Sequence, residues 1–468
     1  MSSLVIRTGR ADLAFDGVRA EFGLRSAFPA AVLAEAEAAV SRSFGDRPDL
    51  TSIPFVTIDP PGAKDLDQAL CVLRSGDGFV VHYAIADLGA FVTPGGALDA
   101  EVRQRGQTIY LPDGNVPLHP TALSEGAASL LPGVVRPSVL WTFTCSADGV
   151  PTSVEVRRAL VRSQAQFDYA SVQATFDAGN PHPSVAALAE FGPLRRALAR
   201  ERGAIELQLP EQEIESNGSG WKLVTRPRAE VDAWNAEISL MTGMAAASIM
   251  LEARCGILRT LPNPDADAVT SLRKSAAALR VPWPADVSPG AFLSGLDAST
   301  PEALALFTDA TRLLRGAGYS AFNGTVPEVT THAGVAAPYT HVTAPLRRLV
   351  DRFATEVCLA VTAGEELPGW LAEALPQLPS LMGASDSVAS KVDRAALDQV
   401  EAWVLAGRVG QEFEAVVLRA SEHEAEIFVS DPPVLAKCAG KRLPEGERIR
   451  VRLAEADPAE RRVRFEQA

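Results

Sequence analysis

The sequence predicts a large α/β unit with a short helical segment before it and a small all-β barrel after it. Three observations predict this. Apolar, β-rich runs broken by Asp-Gly turns lie between residues 53 and 161, an Ala/Leu-rich stretch of helical period fills about 185–365, and strict apolar/polar alternation returns near the end of the chain. At 468 residues the chain is too long for one ordinary core and points to two or three domains.

The elements follow in order. Ala30–Val40 is rich in Ala and Glu and is expected to be helical, with Pro29 suited to a helix's first turn. Gly45-Asp46-Arg47-Pro48-Asp49 then reads as a linker, so residues 1–50 form a small helical segment. Phe55-Val56-Thr57-Ile58 is a β run that ends in the loop signal Asp59-Pro60-Pro61-Gly62. Ala69–Leu73 and Phe79–Ala86 read as a hairpin around Arg74-Ser75-Gly76-Asp77-Gly78. Trp141–Cys145 and Val154–Val161 form a similar pair. The stretch 185–365 is expected to be mainly helical, with loops near 210–230, 260–290 and 316–345, and the unit runs from 51 to 400. In the tail, 407–468, a period of two puts Ile449, Val451 and Leu453 on one face and Arg448, Arg450 and Arg452 on the other. A curled barrel with apolar inside and arginine outside fits this pattern, as does a merely solvated strand face.

Composition narrows the function classes. Hydrophobic residues make up 47% and charged residues 22%, values of a globular chain. No run reaches the ~18–20 apolar residues that span a bilayer, and the charged N-terminus lacks the apolar core of a signal peptide. The five cysteines are odd in number, scattered and in no Cys-x-x-Cys pair. A disulfide framework, a disulfide-linked partner or a zinc site is therefore not expected, and a reducing cytoplasm fits. The net charge of −14 counts against a uniformly basic nucleic-acid binder but allows a basic channel inside an acidic shell.

The most chemical segment is Thr57–Ala69. Asp59, Asp65 and Asp67 lie within nine residues on one inter-strand loop. Asp65 and Asp67, two apart in extended chain, project to one side, and Pro60-Pro61-Gly62 turns Asp59 back towards them. Clustered carboxylates repel unless they share a cation, and Mg²⁺ prefers such hard oxygen ligands. Aspartates also favour turns for purely local reasons, so on these residues alone both readings stand.

This loop resembles the signature of the ribonuclease II/R (RNB) family, and further blocks follow in the family's order. These are His82–Asp87, Pro94–Gly106, Thr108–Asp113, Val116–Pro120 with the serines to Leu130, and Tyr339–Asp351. The resemblance covers roughly residues 50–355. It implies an α/β catalytic domain enclosing an RNA channel with attached OB barrels. The implied activity is processive 3′→5′ hydrolysis of single-stranded RNA to nucleoside 5′-monophosphates, dependent on Mg²⁺ with Mn²⁺ as a possible substitute. By that likeness Asp59, Asp65 and Asp67 bind metal, with Gln68 beside them. Tyr110 stacks on the terminal base, Arg347 sits at the scissile phosphate, and Arg348 and Glu237 lie near the RNA. Arg448, Arg450 and Arg452 then become the RNA-facing side of an OB barrel. Without the family, Tyr110 is a strand-end core tyrosine, and Arg347 and Arg348 pair with Asp351 or cap a helix. His332 and His341 are expected to be structural.

The sequence departs from the family in four places. Gln68 stands where a second acid is expected, which weakens or removes a second metal. Ala344 replaces a serine near the phosphate, and Leu207 stands in for an aromatic. The first fifty residues are too few for the two barrels that relatives often carry there. The competing expectations are an RNA-binding protein of the same fold without activity, and a hydrolase that uses its carboxylates directly.

Overall fold

A computed structural model describes residues 6–7, 14–207, 211–216, 221–226, 229–298 and 300–468. Short β-rich runs and tight turns build its first barrel. Two helices precede it, α1 (Asp16–Glu21) and α2 (Ala30–Val40), the latter with Pro29 just ahead of its first turn. β1 (Phe55–Ile58), β2 (Gln68–Ser75) and β3 (Gly78–Ala86) follow. The β2–β3 turn places Gly76 at φ +62°, a conformation that a side chain would strain. After α3 (Ala97–Arg105) comes a short hairpin of β4 (Ile109–Leu111) and β5 (Gly114–Val116). β6 (Val135–Cys145) and β7 (Pro151–Phe167) extend well beyond the expected pair at 141–161. The barrel closes in the order β1-β2-β3-β6-β7, with β7 parallel to β1 and the other neighbours antiparallel.

Helices then wrap this barrel. α4 (Tyr169–Asp177) starts at a reciprocal capping box between Asp168 and Ser171. α5 (Leu188–Arg202) and the long α6 (Glu230–Ala253) follow. The stretch expected to be mainly helical also contains a strand pair. β8 (Cys255–Thr260) pairs with β9 (Gly318–Asn323), a long-range match that no local period reveals. Between them, α7 (Ala266–Ala278) occupies part of the expected 260–290 loop, capped by Asp265, whose carboxylate accepts the Ala268 N–H at 2.6 Å. α8 (Pro289–Ser294) and α9 (Pro301–Ala310) complete this group. The expected loop at 210–230 also contains two short paired strands, Glu211–Ser216 and Trp221–Arg226. α10 (Leu349–Ala363) and α11 (Leu378–Leu405) end the unit. α6 is long and apolar enough to cross a membrane, contrary to the expectation that no such stretch exists. Its Val231, Ile238, Met241, Ala246, Ala247 and Met250 are buried in the protein core.

The tail forms a second closed barrel from β10 (Glu412–Ala420), β11 (Glu424–Ser430), β12 (Pro433–Ala439), β13 (Arg448–Asp457) and β14 (Arg462–Gln467). Its order, β10-β11-β12-β14-β13, with β12 and β14 parallel, is that of an OB barrel. Val451, Leu453 and Phe465 fill its interior, as the alternation predicts.

Four apolar clusters hold the molecule. The largest joins the first barrel to α6 and α10. A second joins α7–α9 to Leu418 and Phe428 on the second barrel. A third fills that barrel, and a fourth packs Phe15 and Val18 against Ile109, Leu111 and the α11 residues Val392, Ala396 and Val400.

Candidate functional site

Three backbone segments meet at the mouth of the first barrel: the aspartate loop between β1 and β2, the β4–β5 hairpin, and the turn Thr343–Arg348 that leads into α10. Period two explains the hairpin. Ile109 and Leu111 face α11 in the fourth apolar cluster, so Tyr110 points the other way and is 45% exposed. Thr108 N–H donates to the Arg347 carbonyl at 3.0 Å, and Leu349 N–H donates to Gly106 at 2.9 Å, which fixes the hairpin against the turn.

Side chains from all three segments converge. The Tyr110 hydroxyl lies 3.4 Å from an Asp65 carboxylate oxygen. Asp67 accepts the Leu346 N–H at 2.7 Å on one oxygen, and its other oxygen lies 3.5 Å from Arg347 Nε. The Arg347 side chain is 45% exposed although it is densely surrounded by protein, as is Tyr110. That combination marks residues lining a concavity.

Electrostatics ties the aspartates together. Burial pushes the Asp59 carboxyl up to about 6, and repulsion from Asp65 adds to the effect. Burial also pushes Asp67 well above the carboxylate range, opposed by Arg347 and the Leu346 N–H. Asp59 Oδ2 is buried without a hydrogen-bond partner. Among the described residues, no three Asp, Glu, His or Cys side chains are drawn tightly enough to form a ready metal cage. The donor set nevertheless fits a hard divalent cation, since mutually repelling carboxylates and a partnerless buried oxygen are what such an ion satisfies.

The other expected site residues fare differently. Gln68 is engaged at both amide atoms. Its Oε1 accepts from the Tyr83 hydroxyl at 2.7 Å and its Nε2 donates to the Thr343 carbonyl at 2.6 Å, so it braces the turn. Arg348 turns away from the concavity into a bidentate pair with Asp351, at 2.8 Å for each bond. Glu237 is not brought to the cluster either. On α6, Asn235 and Ser239 share the face towards the site, where Asn235 meets Tyr169 and Ser239 meets Thr343. Glu237, midway between them, faces the α5 arginines, and burial pushes it up to about 7 against the pull of Arg195. Arg448, Arg450 and Arg452 lie on the outer face of β13 beside Glu302 and Glu412, at 3.5–3.6 Å. Leu207 packs into the α7–α9 cluster. His332 and His341 both lie edge-on to Tyr339 in an aromatic group.

Sequence reasoning missed two members of the site. Tyr169, in the first turn of α4, is coupled electrostatically to Asp59 and Arg347, and burial pushes its hydroxyl up to about 12. The signal for it was an aromatic directly after an Asp cap at the end of a barrel strand. His119 lies with Nδ1 3.0 Å from the Leu346 carbonyl, and burial pushes it down to about 4. It is therefore neutral near pH 7, and its Nδ1 carries the proton that it donates.

Comparison with known proteins decides the family. A family profile described as "RNB domain" matches residues 47–361, about two thirds of the chain. The chain belongs to the RNB family. The profile described as "RNase II-type exonuclease C-terminal S1 domain" matches residues 411–468, the second barrel. Among RNB proteins, ribonuclease R of Chlamydia trachomatis is 26% identical over 397 residues, covering 81% of this chain and 56% of its own. Ribonuclease R of Escherichia coli is 31% identical over 322 residues, covering 65% of this chain and 39% of its own. The chain thus spans about half or less of the length of these curated relatives. The fold matches the apo form of Mycoplasma genitalium RNase R with a TM-score of 0.84 at 20% identity, over 97% of this chain and 77% of that one. It also matches yeast Ssd1, described as a pseudonuclease, with a TM-score of 0.68 at 16% identity, over 91% and 53%.

Proposed function

We propose that this protein is a processive 3′→5′ exoribonuclease that hydrolyses single-stranded RNA to nucleoside 5′-monophosphates. One observation carries the reading: Tyr110, Asp65, Asp67 and Arg347, from three segments far apart in sequence, line one concavity. In it, the Tyr110 ring stacks on the 3′-terminal base, worth ~1–3 kcal/mol and indifferent to sequence. The Arg347 guanidinium donates in a planar fork to the scissile phosphate as its charge grows. Mg²⁺, or Mn²⁺ in its place, would be held by Asp59, Asp65 and Asp67 and would supply an activated water and charge neutralisation. The second barrel guides the incoming strand, and contact with the 2′-hydroxyl separates RNA from DNA. The division into a helical segment to residue 50, a catalytic unit over 51–400 and an RNA-binding barrel over 407–468 belongs to the same reading. So does a place in the cytoplasm, which unpaired cysteines favour.

A second reading is RNA binding without hydrolysis. Gln68 favours it, because a neutral amide bonded to Tyr83 and Thr343 stands at the end of the aspartate loop. A gel time course on 5′-labelled single-stranded RNA and DNA with Mg²⁺, run beside Asp67→Asn, separates the two. The nuclease shortens RNA alone to a small end-product, and the substitution abolishes this while binding persists. Tight binding with no cleavage in Mg²⁺ or Mn²⁺ sinks the nuclease and leaves the binder.

A further inference from the structure

The turn Thr343–Arg348 presents the Arg347 side chain to the concavity, and its backbone is tied down. Asp67 holds the Leu346 N–H, His119 the Leu346 carbonyl, Gln68 the Thr343 carbonyl and Thr108 the Arg347 carbonyl. These contacts grip the turn from the side of the barrel and the hairpin. Its other side has a single charged anchor. Asp351, in the first turn of α10 and with a fully buried side chain, accepts the Ala344 N–H at 2.6 Å on Oδ1. The same carboxylate takes both bonds from Arg348, one on each oxygen. Ala344 in turn accepts the N–H groups of Arg347 and Arg348 at 3.2 and 2.9 Å. Asp351 thus fixes Ala344, and the Ala344 carbonyl fixes the backbone of Arg347.

We propose that Asp351 is a positioning residue for phosphodiester cleavage, acting through the turn to aim Arg347 at the scissile phosphate. The proposal rests on the reading of Arg347 given above. Simple neutralisation of a buried Arg348 would explain the ion pair but not the bond to Ala344. A carboxylate has the acceptors for three donors at once. An asparagine of the same shape offers one acceptor oxygen and turns an amide donor towards Arg348 or Ala344. The expected loss falls on the step in which charge develops on the phosphate, because binding of the strand uses other contacts.

The test is a double-substitution cycle on the full-length protein with a 5′-labelled oligoadenylate and Mg²⁺, reading the single-turnover cleavage rate and the RNA dissociation constant separately. Asp351→Asn is expected to slow cleavage ~100-fold, the scale for losing an aimed transition-state donor, with RNA affinity within ~3-fold of wild type. In an Arg347→Ala background the same substitution is expected to cost less than ~3-fold, because the group that it aims is already gone. An equal loss in both backgrounds, or a loss of affinity matching the loss of rate, overturns the proposal. Should Asp351→Asn fail to fold, Arg348→Lys takes its place in the cycle. It keeps the buried charge but breaks the fork, and a loss of ~10-fold that disappears with Arg347→Ala is the expected result; a loss that persists overturns the proposal. An Arg347→Ala enzyme as fast as wild type would overturn the reading of Arg347 and the proposal with it, and that result is visible before any Asp351 variant is made.

Discussion

Two closed five-stranded barrels share this chain and place their charges in opposite ways. The second barrel keeps arginines on its outer strand faces. Arg450 and Arg452 lie 3.6 and 3.5 Å from Glu412, with side chains 74% and 47% exposed. The first barrel gathers its acids on a loop at its mouth, where Asp67 is 5% exposed and Asp59 has a buried oxygen without a partner. Water screens the first arrangement, so each pair contributes little. Burial magnifies the second, so each carboxylate is costly when alone and effective when matched. Similar architecture therefore yields a screened, charged surface in one place and a buried acidic cluster in the other.

The largest expected effect lies in the cavity. Arg347→Ala should lower the single-turnover rate by ~10²–10³-fold with little change in RNA affinity, read by rapid-quench assay. A matching fall in affinity would make Arg347 a plain phosphate anchor, no different in kind from the outer arginines. Next comes the place where α11 meets the second barrel. There Glu401 of α11 lines a cavity of ≈ 670 Å³ beside the second barrel, and burial pushes its carboxyl up to about 8. A folded-state pKa raised above the unfolded value makes a contribution fully present below about pH 4.5 that is lost as pH rises towards 8. Glu401→Gln should therefore raise stability at pH 8 by on the order of 2 kcal/mol, with the gain fading by pH 4.5. A gain that does not vary with pH in thermal melts would show that Glu401 is not buried as a titrating group. Tyr110→Ala should weaken binding of short RNAs by ~1–3 kcal/mol, measured by fluorescence anisotropy, and alter long strands less. An equal loss at every length would move Tyr110 away from the terminal base. The smallest effect belongs to the outer face. Arg450→Ala should shift stability by less than ~0.5 kcal/mol and lower RNA affinity only slightly, with a salt dependence shallower by about one charge. A loss as large as that of Tyr110→Ala would erase the contrast between the barrels.

The sequence made the barrels legible to different depths. Strict alternation at Arg448–Leu453 foretold both faces of β13, because a half-exposed strand writes its two sides into neighbouring residues. In the first barrel the hairpins were visible from their Asp-Gly turns. The pairing of β8 with β9 was not, because partners more than fifty residues apart leave no local period. The same distinction runs through the site. The aspartate loop and Arg347 stood out because they sit in continuous motifs. The inward turn of Arg348 towards Asp351 depends on a helix that starts at the next residue and carries Asp351 in its first turn, and neighbouring arginines look alike until that start is placed. The surroundings of Glu237 were hidden for a related reason. A helix carries Asn235 and Ser239 to one face and the residue between them to the other, and proximity in sequence hides this. Gln68 was legible as a departure, while its bonds to Tyr83 and Thr343 emerge only once the turn is in place.

The bond from Leu346 N–H to Asp67 joins residues 279 positions apart. Its consequence reaches into the making of the protein. At ~5–20 residues per second, about 14–56 s pass on the ribosome between the addition of the first partner and the second. Until then the aspartate loop has no Arg347 opposite it, no Gln68 brace and no anchored turn. A half-made chain therefore holds acids without the group that completes them. Asp67, Arg347 and the Gln68 brace can therefore come together only after the turn at Thr343–Arg348 has been added.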